Sequence, residues 1–224
     1  RTGRLRDDEW TRLTEAAECA ARAKDLPTAV ARAERAAELA PERAYARLLA
    51  LFYEYRIRGS GTPEEARSTR SALESVRGEL RPDDQSLRAF LLAEVMDVTD
   101  GGGAGQRVLE DAAARYPRDG LVALGLAERL VAQGSFAKAM PYFEIALSED
   151  MRAVRSRGVV AFSAADAALR AGDTIAARRY FVDAAADDES RERALRRLAD
   201  LDRPVKVPSV KPQPATSIPP TEGE

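Results

Sequence analysis

The stretch that decides the fold is residues 126–146, which read LAERLVAQGSFAKAMPYFEIA. Its small residues and one aromatic residue stand at fixed distances from one another, at Ala127, Ala139, Phe143 and Ala146. Gly134 is expected to lie at the turn after a first helix. Ser135 is expected to cap a second helix, and the alanines let the two helices pack closely. The stretch therefore predicts a helical hairpin.

The spacing of this hairpin recurs along the chain. If Ala139 is taken as an anchor, three further anchors stand at Ala29, Gly105 and Ala177. Every anchor has an alanine twelve residues before it and another seven residues after it: Ala17, Ala93, Ala127 and Ala165, then Ala36, Ala112, Ala146 and Ala184. Alanine makes up 43 of the 224 residues, so eight alanines in eight such positions are not expected by chance. Ala66 marks a weaker copy, and the pattern predicts five repeats of two helices.

Turn and cap signals divide the chain into eleven predicted helices. They cover residues 8–23, 27–39, 42–57, 63–79, 83–98, 104–115, 119–132, 136–149, 153–171, 174–186 and 190–201. The turns within four repeats are expected five residues before the anchors, at Lys24, Asp100, Gly134 and Gly172. Pro141 lies inside the eighth helix, which is therefore expected to kink or to begin late. The arginine-rich eleventh helix is expected to cap the array.

The chain divides into two predicted parts. Residues 1–202 carry the repeats and the capping helix, and form one all-α domain. Residues 203–224 contain six prolines and almost no large apolar residues, so this tail is expected to be extended and mobile. Its role stays open between a linker and a proline-rich docking peptide.

Composition argues against several classes of function. The absence of histidine excludes the common His-based triads, general bases and metal ligands. One cysteine excludes disulfides within the chain and metal sites built from cysteine clusters. The net charge of −2 does not favour nucleic-acid binding, and the longest apolar run, residues 48–53, is too short to span a membrane. We therefore expect no enzymatic activity, cofactor, metal, nucleic acid or membrane insertion.

The expected location of the protein follows from its cysteine content and its first residue. A single cysteine fits a reducing compartment, which favours the cytoplasm. Because residue 1 is arginine rather than methionine, the chain is expected to be a fragment or a processed product. A periplasmic or envelope-associated location therefore stays open. The bias toward arginine and alanine is typical of a bacterial protein.

The repeats resemble the tetratricopeptide repeat (TPR) family. The copy that matches its motif nearly throughout contains Leu126, Ala127, Leu130, Gly134, Phe136, Ala139, Phe143 and Ala146. The resemblance covers about residues 8–202 and implies a right-handed α-solenoid with a concave groove lined by the first helix of each repeat. The family binds extended peptides or partner helices there. Its receptors for chaperone tails use paired asparagines, and since this chain has none, that mode is not expected.

In the register that the resemblance implies, the groove has an acidic row and an apolar floor. The acidic residues are Glu18, Glu94, Asp97, Glu128 and Asp166. The apolar residues are Tyr53, Phe90, Leu91, Leu124, Val131 and Phe162. Such a groove predicts a partner protein or peptide that is basic and carries apolar anchors. The alternative is that these acids form local ion pairs with arginines on solvated helix faces.

The function expected from the sequence is a non-catalytic scaffold that binds a partner peptide or helix in this groove. Two alternatives stay open: a regulatory or sensor segment of a larger signalling protein, and a bacterial cell-envelope assembly factor for secretion, pili or motility. The oligomeric state also stays open.

The groove hypothesis makes one direct prediction. Replacing Glu94 and Glu128 together with lysine is expected to weaken partner binding while the fold stays intact, because both acids would face the partner. Equal affinity of the variant and the parent chain for the native partner would contradict it.

Overall fold

The computed structural model describes residues 2–58, 62–76, 80–101, 103–149, 151 and 155–203. These ranges contain eleven helices and no strand: α1 (Thr2–Arg22), α2 (Leu26–Leu39), α3 (Ala44–Arg58), α4 (Pro63–Ser75), α5 (Pro82–Thr99), α6 (Ala104–Arg115), α7 (Gly120–Ala132), α8 (Phe136–Ser148), α9 (Arg157–Arg170), α10 (Thr174–Ala185) and α11 (Arg191–Leu201). The predicted all-α class is confirmed. The proline-rich tail beyond Arg203 lies outside the described residues.

The helices pack in chain order, as a repeat fold requires. Each odd-numbered helix from α1 to α9 packs against the next helix to form a hairpin, and the second helix of each hairpin packs against the first helix of the following one. The first helices also contact one another along the array, α3 with α5 and α5 with α7. Helix α11 covers the last hairpin by packing on α10, and Ala194 is its buried residue. The handedness of the array stays a prediction.

The predicted anchors are buried in the packing between helices. Ala29, Ala139 and Ala177 are fully buried, and Ala66 in the weaker copy is almost so. At Gly105 the helices approach so closely that a Cβ atom there would lie 2.3 Å from the carbonyl oxygen of Ala93. Real side chains do not approach a backbone atom this closely, so only glycine fits at this anchor.

The turns inside four repeats lie where the sequence predicts them, with one shift, and each contains a residue with positive φ. Gly134 and Gly172 have φ of 73° and 87°. In the third repeat the predicted Asp100 keeps a right-handed conformation, and the next residue, Gly101, adopts φ of 65° instead. Lys24 occupies the corresponding turn of the first repeat with φ of 64°, and it is the non-glycine residue with positive φ in the described chain. A lysine there is strained relative to glycine.

Helix ends differ from the predictions at a few positions. Helix α1 begins at Thr2 rather than at residue 8. The sequence did not predict its first turns because they lack the apolar stripe by which an amphipathic helix is recognised. Helix α9 begins at Arg157 rather than at residue 153. Ser156 caps this start, and its hydroxyl accepts a hydrogen bond from the backbone N–H of Val159 at 3.2 Å. Ser135 precedes α8 but forms no side-chain cap hydrogen bond, so that part of its prediction is wrong.

Pro141 is accommodated inside α8, which begins at Phe136 and so does not start late. The proline leaves the carbonyl of Ala137 without its helical donor. Both residues are exposed, so water can satisfy this carbonyl and the helix continues to Ser148.

Close packing at the anchors can be tested on α8. We expect Ala139→Leu to lower the free energy of unfolding by about 1–3 kcal/mol, the usual cost of forcing extra methylene groups into a packed interface. Ala137→Leu is the matched control, because Ala137 is exposed on the same helix, and should change stability by less than about 0.5 kcal/mol. Urea unfolding followed by circular dichroism measures both. Equal stability of the two variants would contradict the close-packing role of Ala139.

Candidate functional site

The acidic row predicted from the sequence is bound by side chains of the next repeat. The contacts are Glu18 with the Tyr45 hydroxyl (2.6 Å), Glu94 and Asp97 with Arg129 (3.1 and 2.7 Å), Glu128 with Arg155 (3.5 Å) and Asp166 with Arg197 (2.7 Å). In each case the partner lies on the next first helix, immediately before it, or on the capping helix. The row therefore connects consecutive repeats through ion pairs and, at Glu18, a hydrogen bond from a tyrosine.

Arg129 is the most buried member of this set. Its side chain is only 11% exposed and its guanidinium contacts two carboxylates, those of Glu94 and Asp97. It also donates a hydrogen bond to the carbonyl of Gly125 at 3.0 Å. Asp97 in turn accepts a hydrogen bond from the backbone N–H of Gly105 at 3.0 Å, so one network joins α5, α6 and α7.

The predicted apolar floor is part of the hydrophobic core. Tyr53, Leu91 and Leu124 are at most 1% exposed, Phe90 is 2% exposed, and Phe162 is 7% exposed. Neighbouring helices bury these residues against each other, as where the rings of Phe52 and Phe90 meet edge to face at 6.2 Å. Val131 is half-buried and keeps part of its surface accessible. The side chains of the other five therefore do not form an open apolar surface.

Phe162 shows how the end of the array is closed. The guanidinium of Arg193 on α11 lies 4.2 Å from the centre of its ring, which is a favourable cation–π distance. The Phe162 ring also meets the ring of Phe181 edge to face, at 5.4 Å between ring centres. The capping helix therefore covers this aromatic residue with a charged side chain.

A cavity of about 1090 Å³, which we call the central cavity, opens among the described residues. One side is formed by the end of α1 and the start of α2, with Ala21, Arg22, Lys24 and Leu26. Arg56 of α3 contributes to the wall, and the opposite side comes from Glu149, Met151, Arg155, Ser156, Arg157, Val159 and residues 187–189. The first and last repeats therefore border the same space.

A direct contact between the two ends of the array borders the central cavity. The ammonium of Lys24 lies 3.3 Å from a carboxylate oxygen of Glu189, which precedes α11. Both side chains are well exposed, so this ion pair contributes little free energy by itself. It nevertheless shows that the turn between α1 and α2 lies next to the segment between α10 and α11. Glu189 is thus the contact of the Lys24 side chain, whose backbone is strained.

The predicted acids and the central cavity are adjacent. Arg22 pairs with Glu18 at 3.3 Å and Arg155 pairs with Glu128 at 3.5 Å, and both arginines line the cavity. Sequence reasoning missed Arg56, Arg157 and residues 187–189, because they lie far apart in the chain and meet only when the array curves. The signal that was available is Lys24, a lysine at a turn where other repeats have glycine.

The Glu128 carboxyl is perturbed by this environment. Burial raises its pKa, the positive charge of Arg155 lowers it, and the nearby Glu94 carboxylate raises it. The balance is upward, so the folded chain binds a proton at this site more readily than the unfolded chain does. The contribution of Glu128 to stability therefore falls as the pH rises from its unfolded pKa to its folded pKa.

The double charge reversal has a different expected outcome once these contacts are known. Lysines at positions 94 and 128 would face Arg129 and Arg155, so the variant is expected to lose stability. The fold of this double variant is therefore not expected to stay intact. Any loss of binding would then not identify a partner contact, and thermal unfolding of the variant checks this point.

Arg129 offers a cleaner test of the row as a connection between repeats. We expect Arg129→Met to lower the free energy of unfolding by about 1–3 kcal/mol, because two half-buried carboxylates lose their counterion. Arg118→Met is the matched control, since Arg118 forms a single ion pair with Glu149 and is 84% exposed. Chemical unfolding compares the two variants, and similar midpoints would refute a connecting role for Arg129.

A second test concerns the Glu128 carboxyl. Its titration, followed by carbon-13 NMR, should show a pKa above the ordinary glutamate value of about 4.3. Arg155→Gln should raise this pKa further and Glu94→Gln should lower it, because each variant removes one of the charges that act on the carboxyl. Arg35→Gln on the exposed face of α2 is the control and should leave the pKa unchanged. A pKa that falls in Arg155→Gln would contradict the assignment.

Comparison with known proteins does not identify a family. No protein-family model matches the chain, and no curated protein matches it in sequence. Among the described residues, no cluster of three or more histidine, cysteine, aspartate or glutamate side chains is arranged to hold a metal ion. No helix in the described ranges is both long enough and apolar enough to cross a membrane.

Proposed function

We propose that the protein is a non-catalytic scaffold that binds a segment of a partner protein, as the resemblance to TPR proteins implies, and that the central cavity receives this segment. The observation that carries the proposal is the cavity itself, which is bordered by both the first and the last repeat. Its volume of about 1090 Å³ is at the upper end of the range of small-molecule pockets, which suits several residues of an extended peptide.

The wall of the central cavity suits a peptide of mixed character. Leu26 and Val159 are half-buried and offer apolar contacts, and charged side chains line the rest of the wall with them. Peptides recognised in such sites use a few apolar anchors for affinity and charged residues for orientation and partner choice. The partner is therefore a protein segment that carries both apolar and charged residues.

The partner is also expected to carry a basic residue, which would bind beside Asp97. Arg129 forms ion pairs with two carboxylates, those of Glu94 and Asp97. Its single positive charge balances only one of their two negative charges. The Asp97 carboxylate is 38% exposed and can be reached from solvent. A lysine or arginine of the partner placed beside Asp97 would complete this charge balance.

The experiment is a selection of random 12-residue peptides, displayed on phage, against the immobilised chain. Selected peptides should bind with micromolar affinity and shift the NMR signals of Ala21, Met151 and Val159 in the central cavity. The signals of Ile175 and Val182, which are exposed on α10, should not move.

Two variants make this test specific. Val159→Trp partly fills the central cavity and should weaken binding at least tenfold, which corresponds to about 1.4 kcal/mol. Val182→Trp places the same side chain on the exposed surface of α10 and should bind as the parent chain does. If no peptide is selected, or if the selected peptides shift only signals outside the cavity, the proposal is wrong.

A further inference from the structure

A groove between α5 and α6 shares no residue with the central cavity, and we call it the α5–α6 groove. Its apolar floor consists of Leu80, Ala89, Leu92, Val108 and Ala112. Ala112 is buried and the other four are half-buried, so part of this floor is accessible. The volume of about 250 Å³ is below the about 300 Å³ at which pockets for small molecules begin. The groove therefore has room for one large side chain rather than for a whole ligand.

Two polar residues of the α5–α6 groove hold its parts together. The hydroxyl of Tyr116, which follows α6, donates a hydrogen bond to Oε1 of Gln85 on α5 at 2.7 Å. Nε2 of Gln85 donates in turn to the carbonyl oxygen of Leu80, in the segment before α5, at 3.1 Å. These bonds join both ends of the hairpin, so the groove is formed in advance. A binding site that is already ordered loses less conformational freedom when a ligand arrives.

The charged residues of the α5–α6 groove are not paired with each other. Arg88 on α5 is half-buried, and Arg115 on α6 is exposed. Neither guanidinium forms a hydrogen bond, an ion pair or a ring contact with another side chain in the part of the chain that the structure describes. Asp111, the acidic residue of the lining, is exposed and pairs with neither arginine. The lining therefore has a net positive charge, carried by arginines that are available to an anion.

These two arginines differ from the arginines that connect the repeats. Arg129, Arg155 and Arg197 each contact a carboxylate of the preceding repeat. Arg88 lies beside an apolar floor without such a partner, and a guanidinium in this position gains from an incoming carboxylate because charge-assisted hydrogen bonds are among the strongest. The charge of the groove thus favours a ligand with a carboxylate.

We propose that the α5–α6 groove is a second docking site, which binds a segment of a partner protein that carries one large apolar side chain beside an aspartate or glutamate. The apolar side chain fills the floor, and the carboxylate pairs with Arg88 or Arg115, whose planar guanidiniums can donate two parallel hydrogen bonds. An apolar anchor in a pocket with a polar rim is the usual arrangement at protein interfaces. The inference goes beyond the proposed function, because the groove and the central cavity are lined by different residues and could hold two segments at once.

The experiment selects 12-residue peptides displayed on phage against the parent chain and sorts them by the methyl NMR signals that they shift. Peptides of the α5–α6 groove should shift Ala89, Leu92 and Val108, and leave Val159 of the central cavity unchanged. They should carry Leu, Phe or Trp at a fixed distance from Asp or Glu. Changing that acidic residue to the corresponding amide should weaken binding at least tenfold in fluorescence polarisation.

Matched arginine variants connect this loss to the groove. Arg88→Gln/Arg115→Gln should weaken the same peptide at least tenfold, and the acid-to-amide change should then have little further effect, because the two changes remove one interaction. The double variant should keep its circular dichroism spectrum, since neither side chain has an ion pair to lose. Arg107→Gln is the control, because Arg107 is exposed on α6 and does not line the groove, and it should bind as the parent chain does.

The outcomes separate this inference from the proposed function. If no selected peptide shifts the groove signals, the second docking site is wrong, whereas peptides that shift the central cavity still support the scaffold function. Groove peptides without a preferred acidic position, or with equal affinity for the double arginine variant, would also overturn the inference. If inorganic phosphate displaces the peptide at micromolar concentration, the arginines bind free anions instead of a peptide carboxylate, and the inference is again wrong. Groove peptides without any cavity peptide would support the second site and contradict the role of the central cavity.

Discussion

The structure depends on the close approach of helices at small residues. Ala139 and Ala177 are buried without residual exposure. At Gly105 even a methyl group would collide with the carbonyl of Ala93. This spacing sets how the two helices of a hairpin lie against each other. Polar groups on consecutive first helices also lie within reach of each other, and ion pairs such as Arg129 with Asp97 join the repeats.

Most of the fold could be predicted because its signals are local. Thr62, Pro63 and Glu65 mark the start of α4, and the structure shows the full capping box there, with Glu65 accepting the N–H of Thr62 at 2.7 Å. Asp173 likewise accepts the N–H of Ala176 at 2.9 Å at the start of α10. The anchor alanines repeat at a constant spacing, so one recognised hairpin located the others. Errors arose where a signal was weak, as at the first turns of α1.

The candidate site could be predicted only in part, for two physical reasons. The position of Glu94 and Glu128 on their helices was readable from the spacing, but their partners lie in other repeats and no local pattern names them. The register that the TPR resemblance implies places Phe90 and Leu124 in the groove, but such a register does not show whether another helix covers that face. The central cavity is less predictable still, since it depends on small rotations that accumulate over all repeats.

The contact between Lys24 and Glu189 has a consequence for how such a chain can evolve. An open array of repeats can gain or lose a unit by gene duplication or deletion, because each unit contacts only its neighbours. Here an added unit, such as the 34 residues between the Gly105 and Ala139 anchors, would carry Glu189 away from the first turn and open the space between the two ends. Selection on that space would therefore fix the number of repeats, and new specificity would have to come from substitutions in its walls.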